Sequence, residues 1–416
     1  MKTLTQLAVA GVLAGALTGM AVAHEGPVPR GIAHLDHMFV IMMENHGFTQ
    51  IIGNPYAPYT NRLAQRANLA TNYYAIAHPS LTNYLEIVAG SNFGILDDNS
   101  PNWHNTNCQP NIAAGVPNLE SDTSLICPIW GSGIDAATPA LDFSNETSDP
   151  SLNPNLAVVE VDGTVSFPSI SVQGMSIADQ LALAHGTWKS YEEDLPDTGA
   201  DGVNSADGFF SNLNEPATVG VPNASLVGLY AVKHNPFAYF QSTESQEGLA
   251  NMVGFDGPGG LLDDLRRGNV PNFSFIAPNQ CHDQHGRGNA GSSCEYDAND
   301  VGTQQGLNPA LILAGDAELK LLVDAITHSP AWQDGNNAIA IVWDEDDYSI
   351  YPTTNRVPLI VVSNDRDAQG RQSSQFYTHF SLLKTLEAGF GLPCLNNACD
   401  ANVNVLSDLF PSRGRD

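Results

Sequence analysis

Residues 37–47 read "HMFVIMMENHG": an apolar run that ends in Glu44, Asn45 and His46. A short apolar stretch without polar alternation is the pattern of a strand buried on both faces. "FSFIA" (273–277), "AIAIVW" (338–343) and "VPLIVVS" (357–363) are of the same kind, as is "LVGLYAV" (226–232). Between them lie helical stretches. In "NPALILAGDAELKLLVDAITHS", Leu319, Leu322, Val323 and Ile326 recur at helical spacing behind an Asn308-Pro309 start, and "THFSLLKTLEAG" (378–389) is similar, closing on Gly389. Such alternation predicts an α/β fold: a mostly parallel central sheet with helices on both faces. Residues 91–170 are rich in Asn, Pro, Ser and Asp, lack a sustained period, and are expected to form an irregular insertion or cap.

In sheets of this class ligands bind beyond the carboxyl ends of the strands, where Glu44, Asn45 and His46 fall. Three other stretches carry chemistry. "AHPSLTNYLEIVAG" (77–90) places Ser80 at the start of a helix, with His78 two residues before it. The ordinary reading of Ser80 is a helix cap. The functional one is a nucleophile in the positive end of the helix dipole, where a phosphate can dock. "AIAIVWDEDDYS" ends a strand in four adjacent carboxylates, of which Asp344 and Glu345 are the better ligand candidates and Asp346 and Asp347 read as a solvated loop. "APNQCHDQHG" brings His282, Asp283 and His285 together after another strand, a nitrogen and oxygen donor set suited to a metal or a phosphate.

The chain of 416 residues carries 45 Asp and Glu against 16 Lys and Arg, a formal net charge of −29. That field repels nucleic acid, and there is no basic patch to offset it. The start, "MKTLTQLAVAGVLAGALTGMAVAHEG", has Lys2, a short apolar stretch and Ala21-Val22-Ala23 before His24. This predicts a signal peptide over 1–23 and one catalytic domain over 24–416, exported to the periplasm or the medium, with no stable membrane insertion. Six cysteines in an exported protein favour disulfides, with sequence neighbours expected to pair: Cys108 with Cys127, Cys281 with Cys294, Cys394 with Cys399. No G-x-S-x-G elbow surrounds Ser80, which argues against a triad esterase, and the sulfatase C-x-P-x-R signature is absent.

Taken in order, "VIMMENHGF", "SLTNYLEIVAG", "TWKSYEEDLP", "VKHNPFAYF", the D-x-H loop, "WDE", "NRVPLIVVS" and "YTHFSLLKTLEAGFGLP" resemble the bacterial and fungal phosphoesterase family. That family holds secreted acid phosphatases and phosphocholine-type phospholipases C, and belongs to the alkaline phosphatase superfamily. The resemblance runs from about residue 35 to about residue 395. It implies one or two divalent metal ions, held by Glu44, Asn45, Asp344 and Glu345 with Ser80 as nucleophile. His78, His234, His282 and Asp283 would then face the phosphate, and His285 or His379 would carry protons. The loop departs from the family's usual Asn-Asp-x-His-Asp: His282 replaces the Asn and Gly286 the second Asp, leaving Asp283 and His282 both as candidates for the contact. The reaction implied is hydrolysis of a small phosphate monoester through a phosphoserine. A phospholipase C acting on phospholipid head groups is the alternative, and an inactive exported metal- or anion-binding protein is a further one.

Overall fold

The computed structural model describes residues 25–78, 80–93, 172, 174–195, 229–243, 245–286, 291–295, 297, 302–346, 355–365 and 369–410. The expected signal peptide, the expected cap after residue 93, Asp347 and the expected Cys108–Cys127 pair lie outside them.

Ten strands are described: β1 His37–Met43, β2 Asn68–Ala70, β3 Tyr73–Tyr74, β4 Trp188–Glu192, β5 Met252–Val253, β6 Phe273–Ala277, β7 Asn337–Trp343, β8 Leu359–Ser363, β9 Gln372–Ser373 and β10 Tyr377–Thr378. Eight of them form one sheet in the order β5-β4-β6-β1-β7-β8-β2-β9, and β3 pairs with β10 apart from it. All neighbours in the large sheet run parallel except across β8, which is antiparallel to both β7 and β2. The apolar run of the sequence thus becomes a central strand. Every residue of β7, and every residue of β1 after His37, is buried, which requires cover on both faces.

Helices supply that cover: α1 Phe48–Ile51, α2 Pro58–Arg66, α3 Ser80–Ala89, α4 Ile177–Leu183, α5 Gln246–Leu249, α6 Leu261–Arg267, α7 Pro309–Thr327 and α8 His379–Phe390. They pack as two groups, α3 with α4 and α8, and α2 and α6 with α7. The Asn308 side chain caps α7 by accepting from the Ala310 amide at 3.1 Å, and Pro309 fills the first turn. The predicted stop of α8 is off by two residues. Gly389 is helical and lets Leu35 approach, because a Cβ there would lie 2.7 Å from Leu35 Cδ1; the helix ends at Gly391, whose φ of 70° is the left-handed cap.

Two strand readings need correction. The described part of 226–232 is not a strand: its end opens a 3₁₀ turn at Val232–His234, followed by another at Pro236–Tyr239. Pro236 lacks the N–H that a ladder needs, and the place beside β6 is taken by "WKSYE" of β4. That strand escaped notice because Lys189, Ser190 and Glu192 break its apolar pattern, although Ser190 and Glu192 are buried in the fold.

Two of the expected disulfides are formed, Cys281–Cys294 and Cys394–Cys399, and among the described residues no cysteine is free. Among the same residues, no helix is long and apolar enough to cross a membrane.

Candidate active site

The register of the sheet builds the centre of the site. Met43 of β1 pairs with Trp343 of β7, so the next residues, Glu44 and Asp344, leave the sheet side by side. The Asp344 amide donates to Met43 O at 2.9 Å. Asn45 adopts a φ of 52°, a left-handed conformation that Asn tolerates better than most residues, and its amide donates to Asp344 Oδ1 at 3.0 Å.

Helix α3 brings the hydroxyl. All ten of its residues are buried, as its apolar sequence requires. Ser80 is its first residue rather than the residue before it, so the predicted capping role gives way to another. The Ser80 Oγ lies 3.1 Å from Glu44 Oε2 and 3.4 Å from Glu345 Oε1, and its one proton points at these carboxylates. One turn on, Asn83 donates to Glu345 Oε2 at 3.0 Å while its Oδ1 accepts the amides of Ile76 and Ala77. Asn83 therefore clamps Glu345 to the loop before the helix.

The surrounding histidines divide into distinct roles. His234 spans two carboxylates, with Nε2 3.2 Å from Glu44 Oε1 and Nδ1 3.1 Å from Asp283 Oδ2, and it stacks on Tyr84. His285 points Nδ1 at the Gly286 carbonyl, 2.8 Å away, a bond that makes Nδ1 the donor. Its Nε2 then keeps a lone pair and accepts from Lys233 Nζ at 3.3 Å. His78 is an internal counter-ion, 3.1 Å from Glu345 and 3.6 Å from Asp346. Burial alone would lower its pKa, but these two carboxylates outweigh it and push the ring up to about 10.

His379 and His282 correct the expectation. His379 is fully buried behind the site: Nε2 donates to the Asp344 carbonyl at 2.6 Å and Nδ1 accepts from the Tyr73 hydroxyl at 2.9 Å. Burial lowers its pKa to about 4, and both ring nitrogens are engaged in hydrogen bonds that place it against the backbone of Asp344. His282 faces away from Ser80. Asn279 closes a tight turn by accepting the amides of Cys281 and His282 on its side chain, and this turns the His282 ring out to Glu193, 2.8 Å away. Asp283 is the residue of the loop that meets His234. Burial, with Glu193 beside it, raises the nearby Glu318 carboxyl to about 7.

Lys233, Tyr84 and Asn83 lie among the candidate site residues and were not predicted. Lys233 is buried with its ammonium beside His285 and attracts Glu44 electrostatically. Its signal was present in "VKHNPF", directly before His234.

Electrostatics make this centre fit a cation. Glu44, Asp344 and Glu345 are buried around one hydroxyl. Burial first, and then the charges of Asp344 and Asp283, raise the Glu44 carboxyl well above its ordinary range, and burial raises Asp344 as well. Glu44 Oε1 and Asp344 Oδ2 accept no well-formed hydrogen bond among the described residues. Buried carboxylate oxygens left so are the ligands that hard or borderline divalent ions take.

The profile of the phosphoesterase family matches residues 54–393, most of the chain. The chain belongs to the phosphoesterase family. Membership places it among hydrolases of phosphoric ester bonds. It is 24% identical over 399 residues to a phosphatidylinositol-3-phosphatase of Mycobacterium tuberculosis, covering 95% of this chain and 91% of that protein. It is 22% identical over 377 residues to an acid phosphatase of Aspergillus fumigatus, and 24% identical over 383 to a phosphate-repressible acid phosphatase of Penicillium chrysogenum. Each of those two alignments covers 90% of this chain, which spans only 59% and 63% of the fungal proteins' lengths. The solved structure of a protein in the alkaline phosphatase superfamily from Vibrio parahaemolyticus aligns with 94% of this chain and 74% of its own, at a TM-score of 0.44 and 12% identity.

Proposed function

We propose that the protein is an exported, metal-dependent phosphomonoesterase of acid phosphatase type that works through a phosphoserine on Ser80. The observation that carries this reading is the Ser80 hydroxyl, set at the start of a ten-residue helix and within 3.4 Å of carboxylates from two different strand ends. A divalent cation held by Glu44, Asp344, Glu345 and the Ser80 oxygen, with Asn45 at its side, would supply a Lewis acid that favours the alkoxide and neutralises phosphate charge.

The chain's own residues do the rest. Ser80 Oγ attacks phosphorus as its proton passes to His285. His285 hands that proton to the leaving oxygen as its bond to phosphorus breaks, and the first amides of α3 face the incoming anion. Lys233 and His234 bring N–H donors to the same space, and the Lys233 charge offsets the charge that builds up in the transition state. His285 is the proton carrier of this scheme: the Gly286 bond leaves Nε2 as an acceptor, which Lys233 Nζ meets only at 3.3 Å. Water then attacks the phosphoserine; His285 takes its proton and returns it to the Ser80 oxygen as the phosphorus–serine bond breaks and inorganic phosphate leaves. Asp283 holds His234, while His379 holds the backbone of Asp344.

A monoester is favoured over a phospholipid diester because the three relatives quoted above are all named as phosphatases. Export is supported by the leader-like start and by two disulfides, which persist in oxidising compartments. The test is hydrolysis of para-nitrophenyl phosphate by the full chain, chelated and then restored with Mg²⁺, Mn²⁺, Ca²⁺ or Zn²⁺. Activity that disappears on chelation and in Ser80→Ala supports the scheme. Turnover of a choline phospholipid without turnover of the aryl phosphate would replace it with the phospholipase reading.

A further inference from the structure

The loop that carries Asp283 and His285 has a second set of ligands on its other side. Glu193 follows the end of β4, His282 lies in the loop after β6, and Glu318 projects from the middle of α7. One ligand atom from each lies within 4.8 Å of the others. We propose that Glu193, His282 and Glu318 form a second divalent-cation site, sharing no residue with the Ser80 centre and suited to a borderline ion such as zinc.

The separations are right for such an ion. His282 Nδ1 lies 2.8 and 2.9 Å from the two oxygens of Glu193 and 3.9 Å from Glu318 Oε2. Ligands at the corners of a tetrahedron with bonds of about 2.1 Å stand about 3.4 Å apart, between these values. One nitrogen and two carboxylates leave the fourth position to water.

An ion pair between His282 and Glu193 would account for those two residues but not for the third. Glu318 is only 9% exposed, aims its carboxylate at the His282 ring, and accepts no hydrogen bond among the described residues. Burying a carboxylate with so little compensation is costly, and a cation removes the cost.

The surroundings also orient the ligands as a metal site requires. The Asn279 amide donates to Glu193 Oε2 at 2.9 Å, its side-chain amide donates to Asp194 at 2.8 Å, and the Cys281–Cys294 disulfide ties down the residue next to His282. On binding, Nδ1 gives up its proton and coordinates through the freed lone pair. The ring is 36% exposed, so that proton passes to water. An ion here would staple β4 and α7 to the loop and so fix Asp283 against His234.

The experiment is a zinc titration of the chelated, dialysed full chain by calorimetry, in the parent and in Glu318→Gln, His282→Asn and Asp344→Asn. Glu318→Gln and His282→Asn are expected to lose one class of zinc site, or to weaken it more than about 100-fold. Asp344→Asn is expected to retain that class. Equal zinc stoichiometry and affinity in the parent, Glu318→Gln and His282→Asn would overturn the proposal, as would no zinc binding by Asp344→Asn. A check that needs no variant is carbethoxylation of His282 in the parent, mapped by mass spectrometry. Zinc should protect this ring, and equal labelling with and without zinc would refute the site. Both readouts are independent of catalysis, so inactivity toward aryl phosphates would count against the Ser80 scheme alone.

Discussion

Two clusters of histidine and carboxylate stand on opposite sides of one loop, and burial separates what they do. Around Ser80 the carboxylates of Glu44, Asp344 and Glu345 are sealed from water, with His234 and Lys233 buried beside them. Around His282 the ring is 36% exposed and Glu193 is partly open. Charges in the first cluster interact in a low effective dielectric and perturb one another strongly, whereas in the second only Glu318 is buried and the more open His282–Glu193 pair is screened. The same residue types are thus proposed to make a reaction centre on one side and a clasp on the other.

The largest expected effect is on the buried side. Ser80→Ala should lower kcat for an aryl phosphate by about 10⁴-fold or more, with an unchanged circular dichroism spectrum. A variant retaining a tenth of the activity would place the nucleophile elsewhere. Lys233→Met comes next. It removes a buried charge beside His285, and if the proposed scheme holds kcat/KM should fall about 10²- to 10³-fold while inhibition by inorganic phosphate weakens.

His379 sharpens the contrast through pH. In the folded chain burial holds its pKa at about 4, whereas the unfolded ring titrates near 6.5. Between those values the unfolded state binds more protons, so stability is lost as pH falls from 6.5 to 4. The loss should reach on the order of 3 kcal/mol. Urea unfolding across that window should show a slope that His379→Asn flattens; an equal slope in both proteins would remove His379 as its source. The smallest effect belongs to the rim. His282→Asn should change kcat/KM less than about tenfold, because its ring does not face the phosphate space. A loss as large as that of Lys233→Met would erase the distinction between the two clusters.

Much of the candidate site was legible as an expectation in the sequence because several of its residues follow short apolar runs that fold as strands. β1 and β6 occupy the predicted residues, and β7 begins one residue early. Glu44 and Asp344 come first off two of these strands, so their place at the functional edge followed from the strand pattern. Ser80 was recognisable by its position at the start of an apolar helix, though not by its partner. Lys233 was missed because a lone lysine in a 3₁₀ turn reads as a surface residue, and its burial comes only from packing. His282 and His379 were drawn toward the centre by nearness in sequence and by resemblance. Their rings turn elsewhere because the Asn279 turn and the Tyr73 hydroxyl direct them.

What the sequence determined by itself is therefore the class of fold and the kind of chemistry: apolar strands that must be buried on both faces, and polar residues waiting where those strands end. Periodicity and residue type act locally, and local order suffices for both. The tertiary structure decided which of these residues meet. The Met43–Trp343 register sets Glu44 beside Asp344, α3 lays Ser80 against both strand ends, and one tight turn sends Asp283 inward and His282 outward. The first two depend on contacts between residues tens to hundreds of positions apart; the turn is local, but the partners it meets, His234 and Glu193, come from distant segments. No local pattern encodes them.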